Sequence, residues 1–324
     1  MPVPVLEVHL TDDDTARALR ADVRRGLTAS PKELAPRWFY DARGSALFER
    51  ITTLPEYYPT RTERELRRRS AGAIAAAAGA DTLVELGSGS SEKTRLLLDA
   101  LGAGGALRRF VPLDVSGSAL RAAVDAVSAE YPALAVHGVV GDFTRHLGLL
   151  PDEGERRLVA FLGGTVGNLL PAERAAFLDS LRAALRPGEQ LLLGAGLVTD
   201  PVVLQRAYDD AAGVTAEFNG NVLHVLNREL AADFDVAAFD HVAEWDADRE
   251  WIEMRLRARR AMSVHLPVLD LRVAFAEGEQ VRTEVSAKFR PAGLAAELAA
   301  GGFAVLADWT DPDARFTLVL AARG

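Results

Sequence analysis

Residues 82–91 read TLVELGSGSS. Thr82, Leu83, Val84 and Glu85 make the short run expected of a buried strand. It leads into Gly87-Ser88-Gly89, a tight turn, and then into a helix start near Ser91–Glu92. Strand, glycine turn and helix N-terminus together form the first half of a nucleotide-type site in an open α/β sheet. Glycine has no Cβ, so the backbone there can approach a ligand closely. The third glycine of the G-x-G-x-x-G fingerprint is missing, and its place falls on Glu92. A carboxylate at that point repels phosphate, and Glu85 just before the turn points the same way. The pattern therefore suits a cationic ligand. A strand–turn–helix without any ligand is the competing reading of the motif taken alone.

Downstream, the βα beat is regular. Strands are expected at Arg109–Leu113, Leu134–Val140, Arg157–Leu162 and Gln190–Leu193, with helices at Glu92–Leu101, Ala119–Glu130 and Pro171–Leu185. This alternation predicts a parallel sheet covered by helices on both faces. Upstream, Thr11–Leu27 has the spacing of an amphipathic helix, and Arg61–Gly79 that of a long one. Between them lie two aromatic stretches read as loops: Ser30–Ser45, holding Trp38, Phe39 and Tyr40, and Leu54–Thr60, where Pro55 and Pro59 bracket Tyr57 and Tyr58. Proline fixes φ, so these tyrosines are expected to be held rigidly.

The beat breaks after Thr199. Helices at Pro201–Val214 and Asn221–Ala232 and antiparallel strands at Trp251–Leu256 and Leu269–Phe275 are expected there. It returns with a helix at Pro291–Ala300, then strands at Phe303–Asp308 and Phe316–Ala322 joined by the turn-rich Thr310–Arg315. A parallel sheet closed by an antiparallel hairpin is the pattern of the Rossmann-like S-adenosylmethionine-dependent methyltransferase fold. Residues 62–198 and 289–324 are assigned to that domain. Residues 11–61 and 199–288 are assigned to an inserted second, substrate-binding domain.

In such a sheet the ligand lies beyond the C-terminal strand ends. Gly87 and Gly89 would sit under the methionine part of the cofactor. Asp114 would accept hydrogen bonds from both ribose hydroxyls. Asp142 would accept from the adenine amino group, with Phe143 on the base. The Gly163–Asn168 turn would lie next to the reactive methyl. One strand-end aspartate commonly just caps a turn; two at successive ends beside a glycine turn make S-adenosylmethionine the expected ligand.

Composition narrows the alternatives. A 49% hydrophobic, 26% charged chain of 324 residues is an ordinary globular protein with a substantial core. It has no cysteine, hence no disulfide, thiolate metal site or cysteine nucleophile. A net charge of −9 argues against nucleic acid as a partner. No apolar run approaches the ~20 residues that span a bilayer, and Met1–Leu10 lacks a positive n-region, so a cytoplasmic address is expected. The histidines at 9, 137, 146, 224, 241 and 265 show no metal spacing, and no metal is expected. The nucleophile elbow and the phosphate loop are both absent.

The stretches PRWFYDARGSALFERIT, LPEYYPTRTE, TLVELGSGSSEKTRLLLDA, FLGGTVGNL, RAYDDAAGVTAEFN, NVLHVLNREL and TEVSAKFRP carry a more specific likeness. From about Leu19 to Ala322 the chain resembles the actinobacterial L-histidine Nα-methyltransferases of ergothioneine biosynthesis. The resemblance implies that Gly87, Lys93, Asp114, Asp142, Phe143 and Thr165 contact the cofactor, with Gly163 of the same turn at the substrate. It implies that Asn168 and Tyr208 hold the histidine carboxylate. Glu284 and Ser286 would read the imidazole, with Tyr57 on its other nitrogen. Tyr40 would lie near the α-amine as the catalytic residue, where it or a nearby water takes the amine's proton. Phe48 and Met254 would shape the apolar wall. The implied reaction is trimethylation of histidine to hercynine, with L-histidine and its partly methylated forms as the small-molecule partners of a monomer. Two other readings stand beside it. One is an N-methyltransferase for another amino acid or a tryptophan-derived amine; the other is a non-catalytic S-adenosylmethionine sensor.

Overall fold

The structure is a computed structural model that describes every residue except Met1, Asp152, Glu153 and Glu155. The chain divides into two compact units. The first comprises Met1–Thr11, Thr62–Leu197 and Phe289–Gly324; the second comprises Asp12–Arg61 and Val198–Lys288.

The first unit is built on an eight-stranded sheet. Across the sheet the strands run Val5–Val8, Ala135–Val140, Arg109–Asp114, Thr82–Leu86, Arg157–Phe161, Gln190–Gly196, Phe316–Arg323 and Phe303–Thr310. The first six are parallel; Phe316–Arg323 runs antiparallel to both of its neighbours. This is the parallel sheet with a closing antiparallel hairpin that the sequence led us to expect. The two central strands, Thr82–Leu86 and Arg157–Phe161, are buried at every residue, as expected of strands covered on both faces. Leu83, Phe110, Leu158, Ala160, Leu192 and Leu318 share one core with helix residues such as Leu97, Leu120 and Val124. Each such apolar side chain contributes roughly 1.5–3 kcal/mol on burial. The hairpin turn is organised by Asp311, whose Oδ1 accepts from the backbone N–H groups of Arg315 (2.7 Å) and Phe316 (2.6 Å).

The edge strand Val5–Val8 was not expected. It pairs in parallel with Ala135–Val140 but is half open to solvent, so it carries little of the apolar signature of the inner strands. The helix expected at Glu92–Leu101 starts as a 3-10 turn, Glu92–Thr94, and becomes α-helical over Arg95–Ala103.

The second unit combines the helices Asp12–Thr28, Ala42–Thr53, Pro201–Tyr208 and Val214–Leu230 with a four-stranded sheet, ordered Lys32–Glu33, Gln280–Ala287, Trp251–Ala258, Phe239–Asp246. Met262–Leu266 and Leu271–Phe275 form a separate two-stranded ribbon. Several sequence expectations are corrected here. The stretch Ser30–Ser45 is not all loop: it contains the 3-10 turn Pro36–Phe39, and Asp41 then caps Ala42–Thr53 by accepting from Gly44 N–H. The Leu54–Thr60 loop ends at Tyr57, because the helix Tyr58–Ala78 starts there with Pro59 in its first turn. The helix expected to run to Val214 stops at Tyr208. Asp210 intervenes and accepts from Val214 N–H (3.0 Å) and Thr215 N–H (2.7 Å), starting the next helix seven residues before the expected Asn221. Lys32–Glu33, Phe239–Asp246, Met262–Leu266 and Gln280–Ala287 are strands beyond the two expected.

Candidate functional site

In the first unit the residues expected at the cofactor converge at the C-terminal ends of four adjacent strands. Gly87 and Gly89 both adopt positive φ, +69° and +52°, which glycine tolerates without strain. Gly87 and Ser88 donate their N–H groups to Leu113 O (2.8 and 3.1 Å), tying the turn to the neighbouring strand. Asp114 ends that strand. Its Oδ2 accepts from Gly89 N–H and its Oδ1 from Ser116 N–H, both at 2.9 Å. The next strand over ends in Asp142, whose Oδ1 accepts from Thr144 N–H (2.8 Å) and Thr144 O–H (2.6 Å). Gly141 N–H donates to Asp114 O (2.9 Å), so the two aspartates stand on adjoining strand ends. Phe143 packs on Phe161, with ring centroids 5.0 Å apart. On the other side of the glycine-turn strand, Thr165 O–H donates to Leu162 O (3.1 Å) and Gly163 N–H donates to Glu63 Oε1 (2.7 Å). Asn168 closes the short 3-10 turn Thr165–Asn168.

Beneath the turn lies a buried charged cluster that the sequence did not reveal. Glu63 and Arg67, one helical turn apart, form an ion pair at 3.4 Å with both side chains 2% exposed. Arg67 reaches Lys93 O at 3.3 Å. Glu85 is also buried, and Thr94 O–H donates to its carboxylate at 2.6 Å. Glu85 is therefore part of the internal support of the turn, engaged by Thr94, which corrects the expectation that it acts as a charge aimed at the ligand. Burial pushes its carboxyl up to about 7; Thr94 and Arg67 oppose that, and Glu63 and Asp114 add to it. Glu92 is exposed.

The turn fits the cofactor's shape. A Cβ built on Gly87 or on Gly89 would meet nothing within 4 Å, so the space above both residues is open to a ligand. The side chains around it, Asp114 and Asp142, are acceptors suited to hydroxyl and amino donors. Among the described residues no cluster of three or more His, Asp or Glu side chains could hold a metal ion. No helix among them is long and apolar enough to cross a membrane.

The other residues expected at the substrate, Asn168 and Gly163 apart, lie in the second unit and are brought together through side chains. Tyr40, Phe48, Tyr57 and Tyr208 form a chain of edge-on rings, with successive centroids 5.7, 6.3 and 6.2 Å apart. Phe218, unforeseen from the sequence, packs on Tyr40 (5.4 Å) and Phe48 (5.9 Å). The segment carrying Tyr40 is held firmly. Trp38 Nε1 donates to Asp22 (3.1 Å), and Asn221 donates to Phe39 O (3.0 Å) and to Asp41 (2.8 Å). Gly44 must be glycine, since a Cβ there would stand 1.7 Å from Phe39 O.

Glu284 and Ser286 lie two residues apart on the strand Gln280–Ala287, hence on one face, and Met254 is the cross-strand partner of Glu284. Tyr208 Oη and Ser286 Oγ are hydrogen-bonded at 2.7 Å. His241 fixes the backbone of Tyr208: its Nε2 donates to Tyr208 O (2.8 Å) while Asn219 donates to its Nδ1 (2.8 Å). Burial holds the His241 pKa below the ordinary value, consistent with this neutral, structural role. The phenols of Tyr57, Tyr208 and Tyr40 are all pushed up, first by burial; the charge of Glu284 comes next for Tyr208 and Tyr40, and for Tyr57 it follows the neighbouring phenols Tyr208 and Tyr40.

The sequence profile of the family described as "Histidine-specific methyltransferase, SAM-dependent" matches residues 19–323. The chain belongs to the histidine-specific, S-adenosylmethionine-dependent methyltransferases. It is 60% identical over 315 residues to the histidine N-alpha-methyltransferase of Mycolicibacterium smegmatis (strain ATCC 700084 / mc(2)155), covering 97% of this chain and 98% of that one. It is 55% identical over the same length to the protein of that name from Mycobacterium tuberculosis (strain CDC 1551 / Oshkosh), with the same coverage. It is also similar to ergothioneine biosynthesis protein 1 of Neurospora crassa, at 33% identity over 61% of this chain and 23% of that much longer protein. As a histidine-specific methyltransferase the chain uses S-adenosylmethionine.

Sequence reasoning passed over Phe218, the Glu63–Arg67 pair and Lys288, which also lies in the Tyr208–Ser286 cluster. Only the last had a readable signal: Glu284, Ser286 and Lys288 recur at period two on one strand face.

Proposed function

We propose that the chain trimethylates the α-amine of L-histidine in successive steps, giving hercynine, the first step of ergothioneine formation. The observation that carries this reading is the one face of Gln280–Ala287 that presents Glu284 and Ser286 beside Met254, in a unit whose nearby tyrosines are kept as neutral phenols. A carboxylate opposite an imidazole N–H is favourable only when the side chain is histidine-like, since other side chains leave a buried charge unpaired.

Gly87, Lys93, Asp114, Asp142, Phe143 and Thr165 would hold S-adenosylmethionine, which supplies an electrophilic methyl when bound. Glu284 and Ser286 bind one edge of the imidazole and Tyr57 the other nitrogen. Tyr208 donates to the substrate carboxylate; Asn168 is assigned to that carboxylate, and Gly163 to the substrate, by the family resemblance alone. Phe48 and Met254 form the apolar wall.

Methyl transfer to an amine is an in-line displacement, so the protein contributes mainly alignment. The amine must first give up a proton. Tyr40 with its raised pKa is a neutral phenol at physiological pH and does not act as a phenolate base. It orients the amine by hydrogen bonding while water takes the proton. Neutral ring faces also accept the growing quaternary ammonium through cation–π contact. The reading needs no metal, nucleic acid or membrane, and it assigns the reaction to a single chain in the cytoplasm.

Incubation with L-histidine and S-adenosylmethionine, followed by mass spectrometry, should yield the trimethylated product. Cofactor binding with no methylated product would favour a sensor. Tighter calorimetric binding of tryptophan than of histidine, with S-adenosylhomocysteine present, would overturn the substrate.

A further inference from the structure

Lys288 follows the strand that carries Glu284 and Ser286, and its N–H extends the ladder by donating to Glu250 O at 2.8 Å. Its side chain is buried. Nζ donates to Tyr208 Oη at 2.9 Å and to Ser286 Oγ at 2.7 Å, and those two oxygens are 2.7 Å apart. The three atoms make a closed triangle.

Counting protons in the triangle gives it a direction. An ammonium has three donors and no acceptor. Both hydroxyl oxygens therefore accept from Lys288. The contact between the two oxygens uses one of their two hydroxyl protons. One hydroxyl proton is left, and it points out of the triangle. A cluster with one outward donor and a positive charge behind it is matched by an anionic acceptor.

Glu284, Ser286 and Lys288 share one strand face at two-residue spacing, so that face runs from negative to positive charge. Glu284 is the charged neighbour that favours the ammonium, and Tyr58 acts in the same sense; burial works against both and lowers the Lys288 pKa.

We propose that Lys288 is a positioning residue: by donating to both hydroxyl oxygens while Ser286 donates to Tyr208, it leaves the Tyr208 hydroxyl as the outward donor and places a positive charge behind it, so that the enzyme selects amines bearing a carboxylate over their decarboxylated counterparts. The inference rests on the reading that Tyr208 and Ser286 face bound histidine. It adds a residue to which no role was given, and an orientation rule: imidazole toward Glu284, carboxylate toward Lys288.

The test is calorimetric titration of the full chain with L-histidine and with histamine, each with S-adenosylhomocysteine present, for the wild type and for Lys288→Met. Methionine matches lysine in length and apolar stem but removes the donors and the charge. The wild type should bind histidine far more tightly than histamine. In Lys288→Met the histidine Kd should rise about tenfold to a hundredfold, the range expected for losing a hydrogen-bond network to a charged group. The S-adenosylhomocysteine Kd should stay within about threefold, as expected for a ligand outside that network, and the histamine Kd should rise several-fold less than that of histidine, because of the groups on the amine only Ser286 belongs to the network. Equal weakening for both amines, or an unchanged histidine-to-histamine ratio, would overturn the proposal. If Lys288→Met does not fold, Lys288→Gln keeps a donor without the charge and should show the same selective loss at smaller size; an unchanged ratio there would overturn it equally. A wild type that binds no histidine at all would remove the underlying reading and this inference together. Histidine binding with an unchanged ratio in the variant would remove this inference alone.

Discussion

The residues assigned to the cofactor and those assigned to the substrate are held in place by opposite means. In the first unit the cofactor residues are organised by the backbone: Asp114 is held by the N–H groups of Gly89 and Ser116, and Asp142 by that of Thr144. In the second unit the substrate residues are organised by other side chains: four rings in edge-on contact, and a Tyr208–Ser286–Lys288 triangle. Backbone-held sites depend on local geometry and adapt poorly to a new ligand. Sites built from side chains can be respecified by single substitutions. Cofactor and substrate recognition should therefore be separable by mutation.

The largest separation is expected at Glu284. Replacing it by alanine leaves the imidazole N–H without its charged acceptor, a loss of about 3–4 kcal/mol or over a hundredfold in histidine Kd. The Kd for S-adenosylhomocysteine should hardly move, and calorimetry reads both. Equal loss of both would break the comparison.

Glu85 tests the internal support of the backbone-held half. Its carboxyl stands at about 7 against an ordinary value of 4.5. The folded state thus binds an extra proton between those pH values, and the wild type loses stability as pH rises through that window. Glu85→Gln keeps an acceptor for Thr94 and does not titrate. Relative to the wild type it should gain up to about 3 kcal/mol between pH 4.5 and pH 8, read by urea denaturation at several pH values. A parallel pH dependence in both proteins would show that Glu85 is ionised throughout.

Asp114→Ala sharpens the comparison from the other side. It removes the acceptor expected for the ribose and releases Gly89 N–H and Ser116 N–H. We expect S-adenosylhomocysteine binding to weaken by about 2 kcal/mol, roughly thirtyfold, while the ring contacts of the second unit keep their near-ultraviolet circular dichroism.

The smallest effect on stability is expected at Gly89. Its φ of +52° costs an alanine about 1 kcal/mol, and the added Cβ touches no protein atom. A cofactor that packs against this turn should lose more than that on Gly89→Ala. Denaturation and calorimetry on the one variant separate the two losses.

The same contrast explains what could be read from the sequence. The glycine turn, Asp114 and Asp142 were legible because each lies at the end of an apolar run that announces its strand, and a parallel sheet brings such ends to one rim. Glu284 and Ser286 came only through the family's TEVSAKFRP stretch. Their strand has modest apolar content, and nothing local says which rings stand near it. The edge strand Val5–Val8 and the strand Phe239–Asp246 escaped notice because both are partly open to solvent, which dilutes the apolar pattern. The helix start at Val214 was missed because a cap depends on where the Asp210 carboxylate turns, and periodicity does not record that.

By itself, the sequence determined the sheet, its closing hairpin, the glycine turn with its two strand-end aspartates and, through its motifs, the family. Those properties follow from periodicity and from residue types close together along the chain. Only the tertiary structure decided that Glu85 is buried under Thr94, that Glu63 reaches a turn a hundred residues away, and that Lys288 closes a triangle with Tyr208. Such contacts depend on packing between distant segments, and the protonation of each buried group depends on the neighbours that packing supplies.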